Sequence, residues 1–228
     1  MLTPRRRRGI ELLDDRGVSP EIMARSMADV ECTNLLFGGT RAVLRELDNV
    51  LGELPKCATL LDVGTGTADI PVAARGLAAR RSVTLKTIGF DISPVLVERH
   101  RRRNDAVVLG NALRLPFRDN SVDVAMCSQV LHHFREPEAR ELIAEMNRVA
   151  RARVVISDLR RSVVAVGGLW LASFVLRFHS VSRHDGVVSI MRGFLPEELT
   201  ELVMSATGTR PVVRRRSVFR VTTSWKPE

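Results

Sequence analysis

The stretch LLDVGTGTADIP, residues 60–71, places an acid and two glycines where an apolar segment ends. Glycine is needed where the backbone takes a positive φ or where a ligand approaches the main chain closely. Asp62, Gly64 and Gly66, with Asp69 opening a predicted helix, therefore indicate a strand, a tight turn and a helix N-terminus. This combination is typical of a site for a nucleotide-like ligand.

Three kinds of ligand use such a turn: a nucleoside triphosphate, a dinucleotide such as NAD, and S-adenosylmethionine. The P-loop that binds triphosphates is excluded, because no Gly-Lys-Ser/Thr sequence follows the turn. The NAD fingerprint also fails, because Asp69 stands in place of its third glycine or alanine, where an acid would repel a pyrophosphate. Asp91, which ends the next predicted strand, either accepts hydrogen bonds from a ribose or caps a helix.

Several side chains that could move a proton follow later predicted strands. His132 and His133 come just after the fourth strand, and their imidazoles suit general base catalysis because the ordinary pKa of histidine is near 6.5. These two histidines either face a substrate or bond to helix ends and backbone. Asp158, after the fifth strand, either faces a substrate or caps the next helix. His184, with Asp185 orienting its ring, is a further candidate base, unless RHDG is an ordinary turn.

The elements that position these groups alternate between short apolar strands and helices. We predict strands over 59–63, 83–90, 106–109, 122–128 and 152–157, and helices over 68–79, 94–103 and 135–149. This alternation favours a parallel, doubly wound sheet with helices on both faces. A helix over 162–178, a polar loop in SVSRHDGVVSIMRG, a helix in FLPEELTELVMSAT and a hairpin of strands at 209–216 and 217–224 follow.

The N-terminal quarter of the chain is predicted to be helical. SPEIMARSMADVECTNLLFGG and TRAVLRELDNVLGEL both carry apolar residues at helical spacing. We therefore divide the chain into a helical cap or lid over residues 1–57 and a ligand-binding domain over residues 58–228. The glycines of NLLFGG, residues 34–39, would permit a lid to move.

A further segment, GNALRLPFRDNSVDVAMCSQVLHHF over residues 110–134, completes a specific set of motifs with DVGTGTADIP and GFDIS. With this set the chain resembles the class I S-adenosylmethionine-dependent methyltransferases, and most closely the type-11 group that includes the ubiquinone and menaquinone C-methyltransferases. The resemblance covers residues 59–158. It implies a Rossmann-like sheet of seven mostly parallel strands, the last antiparallel, and S-adenosylmethionine as the cofactor.

The resemblance also implies which residues bind the methionine half of this cofactor. They lie in the glycine turn and at the end of the fourth strand: Asp62, Gly64, Thr65, Gly66, Asp69 and Ser128.

The adenosine half is assigned in the same way. Asp91 would hold both ribose hydroxyls, and Ile92 would pack on one face of the adenine. Asn111 and Ala112 would meet the adenine edge, with Leu113 closing the ring pocket. Many relatives have aspartate at the position of Asn111, but the quinone methyltransferases share the asparagine.

Two departures from the quinone enzymes bear on the acceptor. His132 and His133 replace an Arg-Asn pair, and the chain has no tyrosine for the usual N-terminal element. RSMADVECTNLLFGG, SDLRRS and SRHDGVVSIMRGF are instead similar to a bacterial subgroup often encoded beside type III polyketide synthases, whose substrates are lipophilic phenols, pyrones or quinones. We therefore expect O-methylation of a phenolic or enolic polyketide or a quinone-like compound. C-methylation of a quinone precursor, RNA methylation and non-catalytic binding of S-adenosylmethionine remain alternatives.

Composition limits the partners. The 228 residues carry a net charge of +9, but aromatic residues are only 4% and tyrosine is absent, so stacking on RNA bases is disfavoured. The three cysteines have no CxxC spacing, so we predict no metal site and a cytoplasmic location.

The longest apolar run, residues 163–175, is too short for a comfortable membrane span. Its helix is either buried, or it walls a pocket for a lipophilic substrate, or it dips into a membrane interface. The sequence does not indicate the oligomeric state.

Overall fold

The computed structural model describes residues 3–15 and 17–227. Its centre is a seven-stranded sheet with the strand order β3-β2-β1-β4-β5-β7-β6. The strands are β1 Cys57–Val63, β2 Thr84–Asp91, β3 Ala106–Leu109, β4 Val122–Ser128, β5 Ala150–Leu159, β6 Val212–Arg216 and β7 Arg220–Trp225. Neighbours from β3 to β5 pair in parallel, whereas β7 runs antiparallel to both β5 and β6. The predicted doubly wound sheet of seven strands with an antiparallel last strand is confirmed.

Eight α-helices connect and cover these strands within the described residues. They are α1 Pro20–Leu36, α2 Gly39–Leu51, α3 Asp69–Arg80, α4 Pro94–His100, α5 Glu136–Val149, α6 Val163–Val175, α7 Ser180–Arg192 and α8 Pro196–Thr207. Short 3₁₀ helices lie at Leu12–Asp14, Arg101–Arg103 and Leu131–His133. None of the helices in these described ranges has the length and hydrophobicity that a membrane-spanning helix needs.

The helices form a layer on each face of the sheet. One core is built by α5 and α8, through residues such as Leu142, Met146 and Leu199. The other is built by α2 and α3, through residues such as Leu47 and Ala74. Helix α2 thus packs directly on the sheet beside α3, and the division of the chain at residue 57 stays a prediction.

The strand register brings the proposed site residues to one edge. Val63 of β1 is aligned with Phe90 of β2 and Cys127 of β4, and Ser128 is aligned with Ser157 of β5. The four strands therefore end at the same level, and the residues that follow them converge at the carboxyl edge, where open parallel sheets bind ligands.

The predicted polar loop over residues 180–193 is wrong, because this segment forms helix α7. His179 begins the helix, its ring accepting a hydrogen bond from the backbone N–H of Val181. Gly186 allows α7 to approach α6, since a Cβ at this position would lie 2.6 Å from a methyl of Leu169. Residue types that usually form turns therefore lie within a helix here, and Gly186 lets α7 pack closely against α6.

Several predicted boundaries also move. Helix α4 ends at His100 rather than at 103, and the remaining three arginines form a 3₁₀ turn. Helix α6 ends at Val175 rather than at 178, because Arg177 has a positive φ of 54° that an α-helix does not admit. The two last strands begin later than predicted, at Val212 and Arg220.

The interpretation of α6 as a buried helix is also wrong. Ser173 is the one residue of this helix that is buried, whereas Leu171 is 63% and Val175 is 76% exposed. An apolar helix therefore lies on the surface.

Candidate active site

A cavity of about 770 Å³ opens at the carboxyl edge of the sheet. The glycine turn and Asp91 form one end of its wall, and His132 and His133 form another part. Helices α1, α6 and α7 and the β6–β7 turn complete the wall with apolar side chains, among them Met27, Phe37, Val164, Leu169, Phe178, Ile190 and Phe219. A volume of this size accommodates a cofactor together with a small acceptor.

The glycine turn has the backbone geometry that its sequence indicates. Gly64 has a φ of +74°, and a Cβ there would lie 2.4 Å from a methyl of Val130. Gly66 has a φ of +51°, and no atom lies within 4 Å of where its Cβ would be, so its backbone borders open space in the cavity wall. A ligand can therefore approach the main chain at Gly66 closely.

Three acids surround this turn. The carboxylate of Asp91 accepts the backbone N–H of Gly66 on one oxygen and that of Ser93 on the other, both at 2.9 Å. Its remaining lone pairs can accept ribose hydroxyls. Burial raises the pKa of Asp62 to about 7, with a hydrogen bond from Thr65 opposing the shift and the charges of Asp69 and Asp91 adding to it. Burial also raises the pKa of Asp69, against hydrogen bonds from Asn34 and Thr67.

A smaller cavity of about 100 Å³ adjoins the turn. Its wall includes Phe90, Ile92, Asn111 and Ala112, and it suits the edge of a flat ring. Leu113 lies outside this wall and packs against the core instead.

A buried hydroxyl supports the fit of the predicted cofactor. The Oγ of Ser128 is buried, has no hydrogen-bond partner among the described residues, and belongs to the wall of the main cavity. An unsatisfied buried hydroxyl is costly, and a polar ligand would satisfy it. Together with Asp91 and Gly66, it fits S-adenosylmethionine.

A histidine–aspartate pair lies at the other part of the cavity. The Nδ1 of His132 is 2.7 Å from Oδ1 of Asp158, and the backbone N–H of His132 donates to Oδ2 of the same carboxylate. Asp158 is fully buried, so it neither faces a substrate nor caps α6, as its sequence position suggested; it orients His132. Burial alone would raise the pKa of Asp158, but the charge and hydrogen bond of His132 and the N–H of Leu159 hold it below its usual value.

The other ring nitrogen of His132 is free to accept a proton. Its Nε2 is buried and has no hydrogen-bond partner within the described parts of the chain. Because Nδ1–H donates to Asp158, the lone pair of Nε2 is directed away from the Asp158 carboxylate. His132 belongs to the cavity wall. This is the arrangement of an oriented general base.

His133 lies in the same wall but makes a different contact. Its Nδ1 is 3.2 Å from Oδ1 of Asp14, in the N-terminal segment. Burial alone would lower the pKa of His133, but the hydrogen bond to Asp14 and the charge of Glu11 raise it. His133 thus connects the N-terminal segment to the site.

His184 is not brought to the cavity. Its side chain is 49% exposed, and its Nδ1 contacts the neighbouring Asp185. Asp185 itself is buried in the cavity wall, where its carboxylate accepts the backbone N–H groups of Leu12 and Leu13. The structure therefore gives Asp185 an anchoring contact and leaves His184 at the surface.

The site contains two charged residues that sequence reasoning missed. Glu11 is buried, and its Oε1 lies 3.7 Å from Nε2 of His132. Arg220, at the start of β7, is 2% exposed in the wall of the same cavity. No local motif marks either residue, because both reach the site from sequence-distant segments.

One cluster resembles a metal site. Glu11, His132 and His133 each offer a ligand atom, and these atoms lie within 4.8 Å of one another. However, Nη1 of Arg192 lies 2.9 Å from Oε1 of Glu11 and already balances its charge. A guanidinium at this distance opposes a cation, and the absence of a metal stays a prediction.

Comparisons with known proteins agree with this geometry. Residues 61–156 match a family described as a methyltransferase domain. A demethylmenaquinone methyltransferase of Renibacterium salmoninarum is 34% identical over 57% of this chain, which spans 53% of that protein's length. A demethylmenaquinone methyltransferase of Deinococcus radiodurans is 30% identical over a match that covers 66% of this chain and 67% of that protein's length. The crystal structure of a SAM-dependent methyltransferase from Aquifex aeolicus shares the fold, with a TM-score of 0.64, 17% identity, and coverage of 92% of this chain and 100% of that one.

Proposed function

The chain belongs to the class I S-adenosylmethionine-dependent methyltransferases of the type-11 group, and from that premise we propose that it methylates a hydroxyl of a small lipophilic phenol or enol, polyketide-like or quinone-like. The observation that carries the proposal is the His132–Asp158 pair with its free Nε2 in the cavity wall. A phenol or enol must lose its proton before its oxygen can accept a methyl group, and Nε2 can take that proton.

One end of the cavity would bind the cofactor, and the other would bind the acceptor. Asp91 would hold the ribose of the cofactor, Ser128 and the Gly66 main chain would hold its methionine part, and Ile92 would cover the adenine beside Asn111. When bound, S-adenosylmethionine supplies a methyl group whose bond to a positively charged sulfur breaks as the acceptor oxygen bonds to it, which leaves the sulfur neutral. The protein's main task is then to hold the acceptor in line, which can account for much of the rate acceleration.

Asp158 supports the proton transfer. As His132 becomes an imidazolium, the adjacent buried carboxylate balances the new charge, and the bond from Nδ1 fixes the ring orientation. Asp158 therefore acts as a positioning residue, and His132 as the catalytic base.

The remaining wall favours a lipophilic acceptor. Leu169, Phe178, Ile190 and Phe219 give the cavity an apolar surface beyond the histidines. Such a surface binds apolar rings and chains through the hydrophobic effect, and would not compensate a charged polymer for lost hydration.

A second candidate is C-methylation of a quinone precursor, which the demethylmenaquinone methyltransferase relatives favour. Incubation of the enzyme with ¹³C-methyl-labelled cofactor and a panel of alkylated phenols, pyrones and hydroquinones distinguishes the two by carbon NMR. The proposal predicts a label in the methoxy region. A label in the C-methyl region would contradict it and establish the second candidate.

Two further alternatives make different predictions. An RNA methyltransferase would bind RNA with a steep dependence on salt concentration, and we expect no such dependence. A non-catalytic binding protein would release no S-adenosylhomocysteine with any acceptor of the panel. We also propose a cytoplasmic location, supported by three free cysteines.

A further inference from the structure

Arg220 has an unusual environment for a charged side chain. It is 2% exposed, and its one hydrogen bond among the described residues runs from Nη1 to Oε1 of Gln129, at 2.7 Å. Its Nε is buried without a partner, and it forms no salt bridge within the described residues. A buried guanidinium without a salt-bridge partner is expensive, so a fold that retains one in a cavity wall indicates an anionic ligand.

The sheet register places Arg220 beside the end of β5 that carries Asp158. Burial lowers the pKa of Arg220 to about 10, and Asp158, the partner of His132, is the acid whose charge opposes this shift. In the sheet register, Arg220 is aligned with Leu159, the residue that follows Asp158.

We propose that Arg220 binds the oxyanion of the acceptor, so that the acceptor class is an acidic phenol or enol that ionises within the site and is held there as its anion. The O–H bond of the acceptor breaks, its proton goes to Nε2 of His132, and the electron pair stays on oxygen beside the guanidinium. Arg220 keeps its own protons throughout. This inference rests on the proposed function, because it assumes an acceptor whose nucleophile is oxygen.

The test measures ionisation of a bound phenol and needs no turnover. 4-Nitrophenol, whose phenolate is coloured, is titrated with pH in complex with the protein saturated by S-adenosylhomocysteine. We expect wild type to bind it and to shift its ionisation equilibrium toward the phenolate by about tenfold relative to Arg220→Met. Arg220→Lys retains part of the shift, and 4-nitroanisole, which cannot ionise, binds wild type and Arg220→Met alike.

Arg102→Met is the matched control, because it removes the same charge from an exposed site. It should leave the nitrophenol shift at the wild-type value. Equal ionisation on wild type and Arg220→Met, or no binding of nitrophenol to wild type, would overturn the inference. A tenfold loss of affinity for S-adenosylhomocysteine in Arg220→Met would also overturn it, by assigning the guanidinium to the cofactor. If the shift is found while no methyl transfer occurs, the anion site stands and the proposed function fails.

A second, independent observation concerns the outer face of α6. We define the α6 patch as the exposed apolar residues of this helix together with Leu176, which directly follows it: Val163, Val164, Trp170, Leu171, Phe174, Val175 and Leu176. The rings of Trp170 and Phe174 pack edge to face at 4.7 Å, and the guanidinium of Arg183 lies 4.6 Å above the Phe174 ring. Residues 159–184 contain no acid, and their arginines at 160, 177 and 183 are at least partly exposed, whereas Arg161 is buried and paired with Glu198.

The positive charge near this patch favours a negatively charged partner. Arginines beside exposed aromatic and aliphatic side chains complement the negative surface of an anionic bilayer, and a tryptophan suits the membrane interface. The same helix contributes Val164, Gly168 and Leu169 to the cavity wall. We infer that α6 docks on an anionic lipid surface, from which a lipophilic acceptor can enter the cavity.

Sedimentation with vesicles tests this docking. We expect wild type to bind vesicles of equal parts phosphatidylcholine and phosphatidylglycerol, to bind pure phosphatidylcholine weakly, and to lose binding when Trp170→Glu and Leu171→Glu are combined. Val212→Glu, at an exposed apolar residue on the edge strand β6, is the control and should bind as wild type does. Equal binding by the double variant would overturn the inference. So would a dimer, seen by light scattering, that the double variant abolishes, because a second copy would then cover α6.

Discussion

At the scale of single residues, the site is defined by where each polar group finds its partner. The carboxylate of Asp158 is hydrogen-bonded to His132, that of Asp91 to the glycine turn, and that of Asp185 to the N-terminal segment. Of the seven buried side-chain atoms without a partner among the described residues, three belong to residues of one cavity wall: Nε2 of His132, Oγ of Ser128 and Nε of Arg220. Unsatisfied buried atoms are rare in folded proteins, so three of them in one wall support a ligand there.

Asp62 gives a pH-dependent prediction. Its pKa is about 7 in the fold, against an ordinary value of 3.8, because burial disfavours the carboxylate. The unfolded chain ionises first, so this group costs increasing stability between pH 3.8 and about 7 and a constant amount above that. The gain in stability of Asp62→Asn over wild type should therefore grow across this window and then level off.

Urea unfolding of the ligand-free proteins across the pH range measures this difference. Glu98→Gln is the control, because it removes a carboxylate whose side chain is 77% exposed. A flat difference for Asp62→Asn across the pH range would contradict the assignment of a raised pKa.

His133 gives a prediction of the opposite sign. Its pKa is raised by Asp14 and Glu11, so its contact with the N-terminal segment stabilises the fold fully below pH 6.5 and is lost as the pH rises through the raised value. Asp14→Asn should lower the pKa of His133 in a proton NMR titration of the histidines. An unchanged pKa of His133 in this variant would refute the contact.

At the scale of elements, sequence patterns located the strands better than the helices around the cavity. Strands β3 and β4 are confirmed to the residue, because a short, mostly apolar run between turns predicts a strand. Helix α7 was missed, because its Gly, Asp, Ser and His residues are typical of turns. Their actual roles, such as the anchoring of Leu12 and Leu13 by Asp185, depend on contacts more than 170 residues apart in sequence.

The close contact between the end of α7 and strand β5 gives a further prediction. A Cβ on Gly193, at the end of α7, would lie 2.6 Å from the carbonyl oxygen of Leu159, and backbone cannot move aside cheaply. Gly193→Ala should therefore destabilise the fold by about 1–3 kcal/mol. Gly76→Ala, at an exposed position of α3 where a Cβ would meet only the flexible side chain of Arg80 at 4.0 Å, should instead stabilise by about 0.5–1 kcal/mol.

Denaturant unfolding of both glycine variants checks this pair. The same substitution is expected to change the free energy of unfolding in opposite directions at the two sites. A stabilised Gly193→Ala would show that α7 is not held against β5 in the way described.

At the scale of the whole molecule, the carboxyl edge of the sheet brings together site residues that are far apart in the sequence. The glycine turn, Asp91, Ser128 and His132 could be anticipated from sequence, because each follows a recognisable strand and strands of a parallel sheet end together. Glu11 and Arg220 could not, because their place depends on how the two ends of the chain fold back over that edge. The acceptor half of the cavity is built largely from these late and distant segments, so it is less predictable than the cofactor half.

The most direct test of the account is methyl transfer by wild type and His132→Ala under the same conditions, with S-adenosylhomocysteine binding measured calorimetrically in both. Loss of the oriented base should reduce O-methylation of the best phenolic acceptor by roughly 10²–10⁴-fold while cofactor affinity stays within about twofold. His184→Ala, which removes a surface histidine, should retain wild-type turnover. An undiminished rate in His132→Ala, or a loss matched by His184→Ala, would contradict the assignment of His132 as the base that activates the acceptor hydroxyl.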